Sequence, residues 1–86
     1  MNTLIISTFS CTFEEFKTDV SVFITAMGQD VVSEYEFVQA SEHKSHLIMN
    51  VLDMEALKAE TTSDVANSRT KKYNCKCSAY AIELVE

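Results

Sequence analysis

Two polar residues in an otherwise apolar segment are the first candidates for chemistry. In the run HLIMNVL, His46 and Asn50 are four positions apart, and residues at that spacing point to the same side of a β-strand. A histidine can accept a proton, and an asparagine can orient a substrate by hydrogen bonds. Tyr80 could line a pocket beside these residues, with its hydroxyl group at the polar edge of that pocket. If the chain is an enzyme, His46, Asn50 and Tyr80 are therefore its candidate catalytic residues, with His46 as the base and Asn50 and Tyr80 orienting the substrate. The alternative is that His46 and Asn50 form hydrogen bonds with each other, with a partner chain or with water.

The cysteines are the second group that could do chemistry. Two of them form a CxC pair, and the predicted order of the strands brings all three cysteines and one histidine to the same rim of the sheet. The set is Cys11, Cys75, Cys77 and His46. Thiolate and imidazole are the ligand types that zinc prefers, but CxC lacks the turn that CxxC motifs provide. We expect no metal and no cofactor, with the cysteines packed as small hydrophobic residues. Zinc binding and a redox or disulfide role are the alternatives.

The charge balance excludes one large class of function. Among 86 residues, thirteen acidic side chains outnumber seven basic ones, and the formal net charge is −6. Nucleic-acid binding requires a positively charged face, so we predict no nucleic-acid partner. Four cations are close together near the predicted end of a helix, namely Arg69, Lys71, Lys72 and Lys76. Cations at that position offset the helix dipole, and we expect them to be solvated. The alternative is a site for an anion or an acidic partner.

The composition also indicates where the protein works. No apolar run approaches the ~20 residues that a membrane-spanning helix needs, so we predict no membrane association. An odd number of cysteines fits a reducing compartment better than a disulfide framework, which favours the cytoplasm.

Short elements must position these side chains. The segment from Thr12 to Gly28 has apolar residues at helical spacing, Thr12 as its N-cap and Gly28 as its stop. Asp53 is the expected N-cap of a second helix, which runs from about Met54 to Tyr73 and breaks at residues 61–63. We predict strands at residues 3–11, 33–41, 46–52 and 75–85, with a polar connection at residues 41–45.

The resulting order is βαββαβ in a single domain, residues 1–86. This order predicts an α+β, ferredoxin-like fold in which a four-stranded antiparallel sheet carries two helices on one face. Because crossover connections are right-handed, the first and third strands should lie in the middle. The last strand should flank the first, and the second strand should lie at the far edge.

This layout resembles the dimeric α+β barrel superfamily, which includes the antibiotic-biosynthesis monooxygenases and many short bacterial proteins. The resemblance is carried by TFEEFK at the start of the first helix, the apolar hairpin, Asp53 followed by MEAL, and the break at Thr62 and Ser63. It implies a dimeric α+β barrel in which two copies pack their sheets together. It also implies a small cavity, either between the sheet and the helices or at the interface.

We therefore predict a homodimeric module that binds a small ligand or has a structural role. One alternative is a cofactor-independent enzyme, monooxygenase-like or isomerase-like, that acts on a small organic molecule. Another is a regulatory partner in a larger complex, which would bind through the exposed edge strand near Tyr35.

Overall fold

The computed structural model describes residues 1–85, apart from the side chain of Val65. The elements are β1 (Thr3–Thr8), α1 (Phe13–Met27), β2 (Val32–Ser41), β3 (Lys44–Val51), α2 (Met54–Thr61), α3 (Asp64–Lys72) and β4 (Lys76–Ala81). The strands form one antiparallel sheet in the order β2-β3-β1-β4. Both the ferredoxin-like α+β fold and this strand order were predicted, and both are confirmed.

Helix α1 supplies most of the apolar surface that covers the sheet. Its buried residues are Phe13, Phe16, Val20 and Ile24, which recur every three or four positions. The Thr12 hydroxyl accepts a hydrogen bond from the backbone N–H of Glu15 at 3.2 Å, as expected of an N-cap. Gly28 follows the helix with a φ of 89°, a conformation that glycine adopts without steric cost.

The two faces of the sheet differ in what covers them. Along β3, Ser45, Leu47, Met49 and Val51 are buried against the helices, and the residues between them are half-buried. We call the helix-covered side the inner face and the opposite side the outer face. The register between the strands places these residues on the outer face: Leu4, Ile6, Glu34, Glu36, Val38, His46, Ile48, Asn50, Ser78 and Tyr80.

Several element boundaries differ from the predicted ones. Strand β1 ends at Thr8 because Phe9 turns into the core and its backbone N–H bonds to the carbonyl of His43. Strand β3 begins at Lys44, so the connection predicted at 41–45 is a two-residue turn. Strand β4 ends at Ala81, four residues earlier than predicted.

The predicted break in the second helix is confirmed. Helix α2 ends at Thr61, and α3 begins at Asp64 with Ser63 as its N-cap. The Ser63 hydroxyl accepts a hydrogen bond from the backbone N–H of Ala66 at 3.3 Å. Within the described residues, no helix combines the length and the apolar character that crossing a membrane requires.

Candidate ligand-binding site

A cavity of about 190 Å³ lies between the inner face of the sheet and the helices. Its wall is mainly apolar. Helix α1 contributes Phe16, Val20, Phe23 and Met27, and strand β3 contributes Leu47 and Met49. Helix α3 contributes the small, buried Ala66. A methyl group at this position fills little space, which helps to leave room between the helices and the sheet.

Polar side chains gather at one side of this cavity. Ser7 on β1 lies opposite Cys77 on β4 in the antiparallel register, so both side chains point to the same face. The Ser7 Oγ and Cys77 Sγ atoms are 3.1 Å apart. Cys75, just before β4, places its Sγ atom 3.4 Å from that of Cys77. Although Cys77 belongs to an exposed edge strand, its sulfur atom faces the cavity.

Arg69 adds a positive charge to the same cavity. Its guanidinium carbon lies 4.6 Å from the centre of the Phe23 ring, a cation–π arrangement that holds the side chain against α1. Arg69 is half-buried and lines the cavity. The expectation that this residue is only a solvated helix cap is therefore wrong, because its side chain packs inward across an aromatic ring.

The surroundings of the two thiols shift their pKa values in opposite directions. Hydrogen bonds from Cys75 and from Ser7, together with the nearby Arg69 charge, lower the pKa of Cys77 to about 6. The hydrogen bond to Cys77 and burial raise the pKa of Cys75. Of the two thiols, Cys77 is therefore the one that ionises first as the pH rises. Thiolates are the nucleophilic form of cysteine.

Comparison with known proteins identifies the fold. No protein-family model and no curated protein matches this sequence. Among solved structures, SnoaB, a cofactor-independent oxygenase from Streptomyces nogalater, matches with a TM-score of 0.65 and 6% identity over 98% of this chain and 93% of its own. A candidate antibiotic biosynthesis monooxygenase from Caulobacter crescentus matches with a TM-score of 0.61 and 14% identity, over 99% and 91% of the two chains. The protein PA3566 from Pseudomonas aeruginosa matches with a TM-score of 0.59 and 13% identity, over 96% and 94%.

This chain has the ferredoxin-like fold of the antibiotic-biosynthesis-monooxygenase-like proteins. At identities this low the likeness concerns the fold, since one fold can carry many different activities.

The three candidate catalytic residues lie on the outer face of the sheet, away from the cavity. His46 is flanked by Ile6 and Val38 in the register of the sheet. Asn50 donates a hydrogen bond from its Nδ2 atom to the Ser33 hydroxyl at 2.8 Å. Tyr80 is 51% exposed. His46 and Tyr80 share a face, but strand β1 lies between their strands.

The four residues of the zinc alternative do not converge. Cys75 and Cys77 are adjacent, whereas His46 lies on the other face of the sheet and Cys11 packs against the core beyond the end of β1. In residues 1–85, no three His, Cys, Asp or Glu side chains form a group suited to a metal ion.

The sequence reasoning missed Ser7 and the inward position of Arg69. Ser7 lies two positions after Ile5 and therefore shares its face of the strand, and a hydroxyl group beside Ile5 on that face is the signal that could have drawn attention to it. Its contact with Cys77 joins residues 70 positions apart, and only the pairing of β1 with β4 creates it.

Proposed function

We propose that this protein is a small-ligand-binding module that works as a homodimer, with the ligand in the cavity at the inner face. The observation that carries this proposal is the cavity itself, about 190 Å³ in volume and lined mainly by apolar side chains. Ligand sites in proteins are typically apolar clefts with a small number of polar groups that fix the ligand's orientation. Ser7, Cys77 and Arg69 supply such groups here.

The volume limits the size of the ligand. A buried apolar cavity of about 150 Å³ can hold benzene. The cavity in this chain is somewhat larger, so it suits a single aromatic ring or a branched aliphatic group of similar bulk. A polar substituent on that ligand would lie toward Ser7 and Arg69. The ligand class is therefore a small organic molecule with one polar end.

Surface composition supports the homodimer. On the outer face, Leu4, Ile6 and Ile48 are only half-buried, and Val38 and Tyr80 are 43% and 51% exposed. Apolar side chains left exposed on one face of a sheet are typical of an interaction surface. A second copy of this chain would cover it with the same residues, as the two-fold symmetry of most homodimers allows. Three free cysteines support a reducing, cytoplasmic location as part of the same proposal.

Calorimetric titration with benzyl alcohol tests the ligand site. We expect saturable binding of one molecule per chain. Val20→Phe should abolish binding because Val20 lines the cavity and a ring at this position fills it. Val22→Phe is the matched control, since Val22 is 67% exposed on the same helix and lies outside the cavity. Absence of saturable binding by the parent protein, or equal binding by both variants, would contradict the proposal.

A second candidate function is a cofactor-independent enzyme that uses His46, Asn50 and Tyr80 on a small organic molecule. Two observations favour it. One structural neighbour, SnoaB, is a cofactor-independent oxygenase, and the three residues all lie on the outer face of the sheet. In a dimer that face would lie at the interface, where a substrate could be enclosed. Oxygen uptake with small phenols should then be lost in His46→Ala and kept in His43→Ala, which changes an exposed turn. Equal uptake by the two variants would reject this candidate.

A further inference from the structure

Two thiols, a hydroxyl and a guanidinium meet in the proposed ligand cavity. The Sγ atoms of Cys75 and Cys77 are 3.4 Å apart, and the Ser7 hydroxyl is 3.1 Å from Cys77. Arg69 lines the same cavity. We propose that Cys77 and Cys75 are a redox pair that reduces a small organic hydroperoxide bound in this cavity. This inference rests on the proposed ligand site and names its substrate class.

The first step is attack by the Cys77 thiolate on the terminal oxygen of the hydroperoxide, R–O–OH. An S–O bond forms and the O–O bond breaks, so that Cys77 becomes a sulfenic acid and the organic part leaves as an alkoxide, RO⁻. The sulfur loses two electrons and the peroxide gains them. The alkoxide then takes a proton from water and becomes the alcohol.

The second step uses Cys75. Its thiol attacks the sulfenic sulfur of Cys77, an S–S bond forms, and the hydroxyl of the sulfenic acid leaves with the thiol proton as water. An external dithiol, itself oxidised to a disulfide, then returns both cysteines to thiols by exchange. The sum is one hydroperoxide and one dithiol converted to one alcohol, one water and one disulfide.

The positions of the side chains suit each part of this reaction. The apolar wall of the cavity accommodates the organic group R, which hydrogen peroxide lacks. Arg69 supplies a positive charge where the alkoxide develops, and such charges are worth most in a partly dry site. Cys75 lies just before β4 and outside its pairs with β1, so its side chain is the one that can move toward Cys77.

Oxidation of the fully reduced protein by cumene hydroperoxide tests the proposal. Digestion with trypsin, followed by mass spectrometry, then shows which cysteines are joined. Cleavage after Lys72 and Lys76 separates peptide 73–76, which holds Cys75, from peptide 77–86, which holds Cys77. A disulfide between them gives one two-chain peptide. We expect this peptide, with one cumyl alcohol formed per chain, and a reaction with cumene hydroperoxide about tenfold or more faster than with hydrogen peroxide.

Variants assign the roles of the residues. Cys77→Ser should not react, and Cys75→Ser should stop at a sulfenic acid on Cys77 that dimedone traps. Cys11→Ser is the control and should react like the parent, because Cys11 lies outside the cavity. Arg69→Gln should slow the reactions with both peroxides about tenfold, because the Arg69 charge lowers the pKa of Cys77 and offsets the negative charge on the leaving oxygen.

The proposal would be overturned if the two-chain peptide were absent, or if all three cysteines were oxidised at the same rate. It would also be overturned if cumene hydroperoxide reacted no faster than hydrogen peroxide. The wild-type assay needs no variant, so misfolding of a mutant cannot obscure it. Benzyl alcohol binding without disulfide formation would reject only the redox pair, whereas loss of both would reject the ligand site as well.

Discussion

Phe16 is the side chain on which the core and the cavity both depend. It is 3% exposed, stacks on Phe9 with ring centroids 4.2 Å apart, and forms part of the cavity wall. We expect Phe16→Ala to lower the free energy of unfolding by about 3–5 kcal/mol, because deleting a buried ring leaves a void. Urea denaturation measures this loss. Val22→Ala, at an exposed position of the same helix, should change stability by less than about 0.5 kcal/mol. Similar losses in both variants would contradict the assigned core face.

The reactivity of Cys77 should follow its lowered pKa. Since the thiolate is the reactive form and the pKa of Cys77 is about 6, alkylation by iodoacetamide should rise with pH through a midpoint near pH 6. Cys11 should react only at high pH, because burial and the nearby Glu15 raise the pKa of its thiol. Mass spectrometry of tryptic peptides distinguishes the two sites. A midpoint for Cys77 near the ordinary value of 9.0 would contradict the hydrogen-bonded pair.

Individual residues show how far sequence reasoning can reach. Thr12, Phe16 and Gly28 were predictable, because caps, helical spacing and stops act over one or two turns. The Ser7–Cys77 contact was not, since it depends on the register between the first and last strands. The predicted position of the Arg69 side chain was wrong, because a cation near a helix end can either face solvent or lie across an aromatic ring. Sequence spacing does not distinguish those two positions.

At the scale of the elements, the start of helix α1 allows a direct test of whether its N-cap stabilises the helix. Thr12 caps the helix, whereas Thr18 is exposed in its interior. Thr12→Ala should cost about 1 kcal/mol because the N–H of Glu15 loses its partner. Thr18→Ala, the same chemical change, should be neutral or slightly stabilising, since alanine favours helix interiors. Thermal or urea unfolding measures both. An equal loss in the two variants would mean that the cap does not stabilise the helix.

The order of the elements was more predictable than their ends. Right-handed crossovers and the βαββαβ order determine the sheet as β2-β3-β1-β4, and the structure confirms it. The end of β1 was placed too late because Phe9 has the composition of a strand residue but turns into the core. The hairpin was placed too long because Lys44 and Ser45 are polar, although Ser45 is fully buried within β3.

For the whole molecule, the proposed homodimer has a simple test. Ile6 lies on the outer face between His46 and Ser78 in the register of the sheet. Sedimentation velocity at micromolar concentration should give the mass of two chains for the parent protein. Ile6→Lys should give one chain, because a buried unpaired ammonium group opposes association. Val22→Lys, a control on the exposed side of α1, should remain a dimer. A single-chain mass for the parent would reject the dimer.

The methionine methyl groups test the ligand cavity most directly. Met27 and Met49 line the cavity, whereas Met1 and Met54 are exposed and lie outside it. In protein labelled with ¹³C at its methionine methyl groups, four resonances report these positions during titration with benzyl alcohol. We predict that the Met27 and Met49 resonances shift together and saturate, while those of Met1 and Met54 stay in place. Equal small shifts of all four, or shifts of Met1 and Met54 alone, would contradict a ligand site between the sheet and the helices.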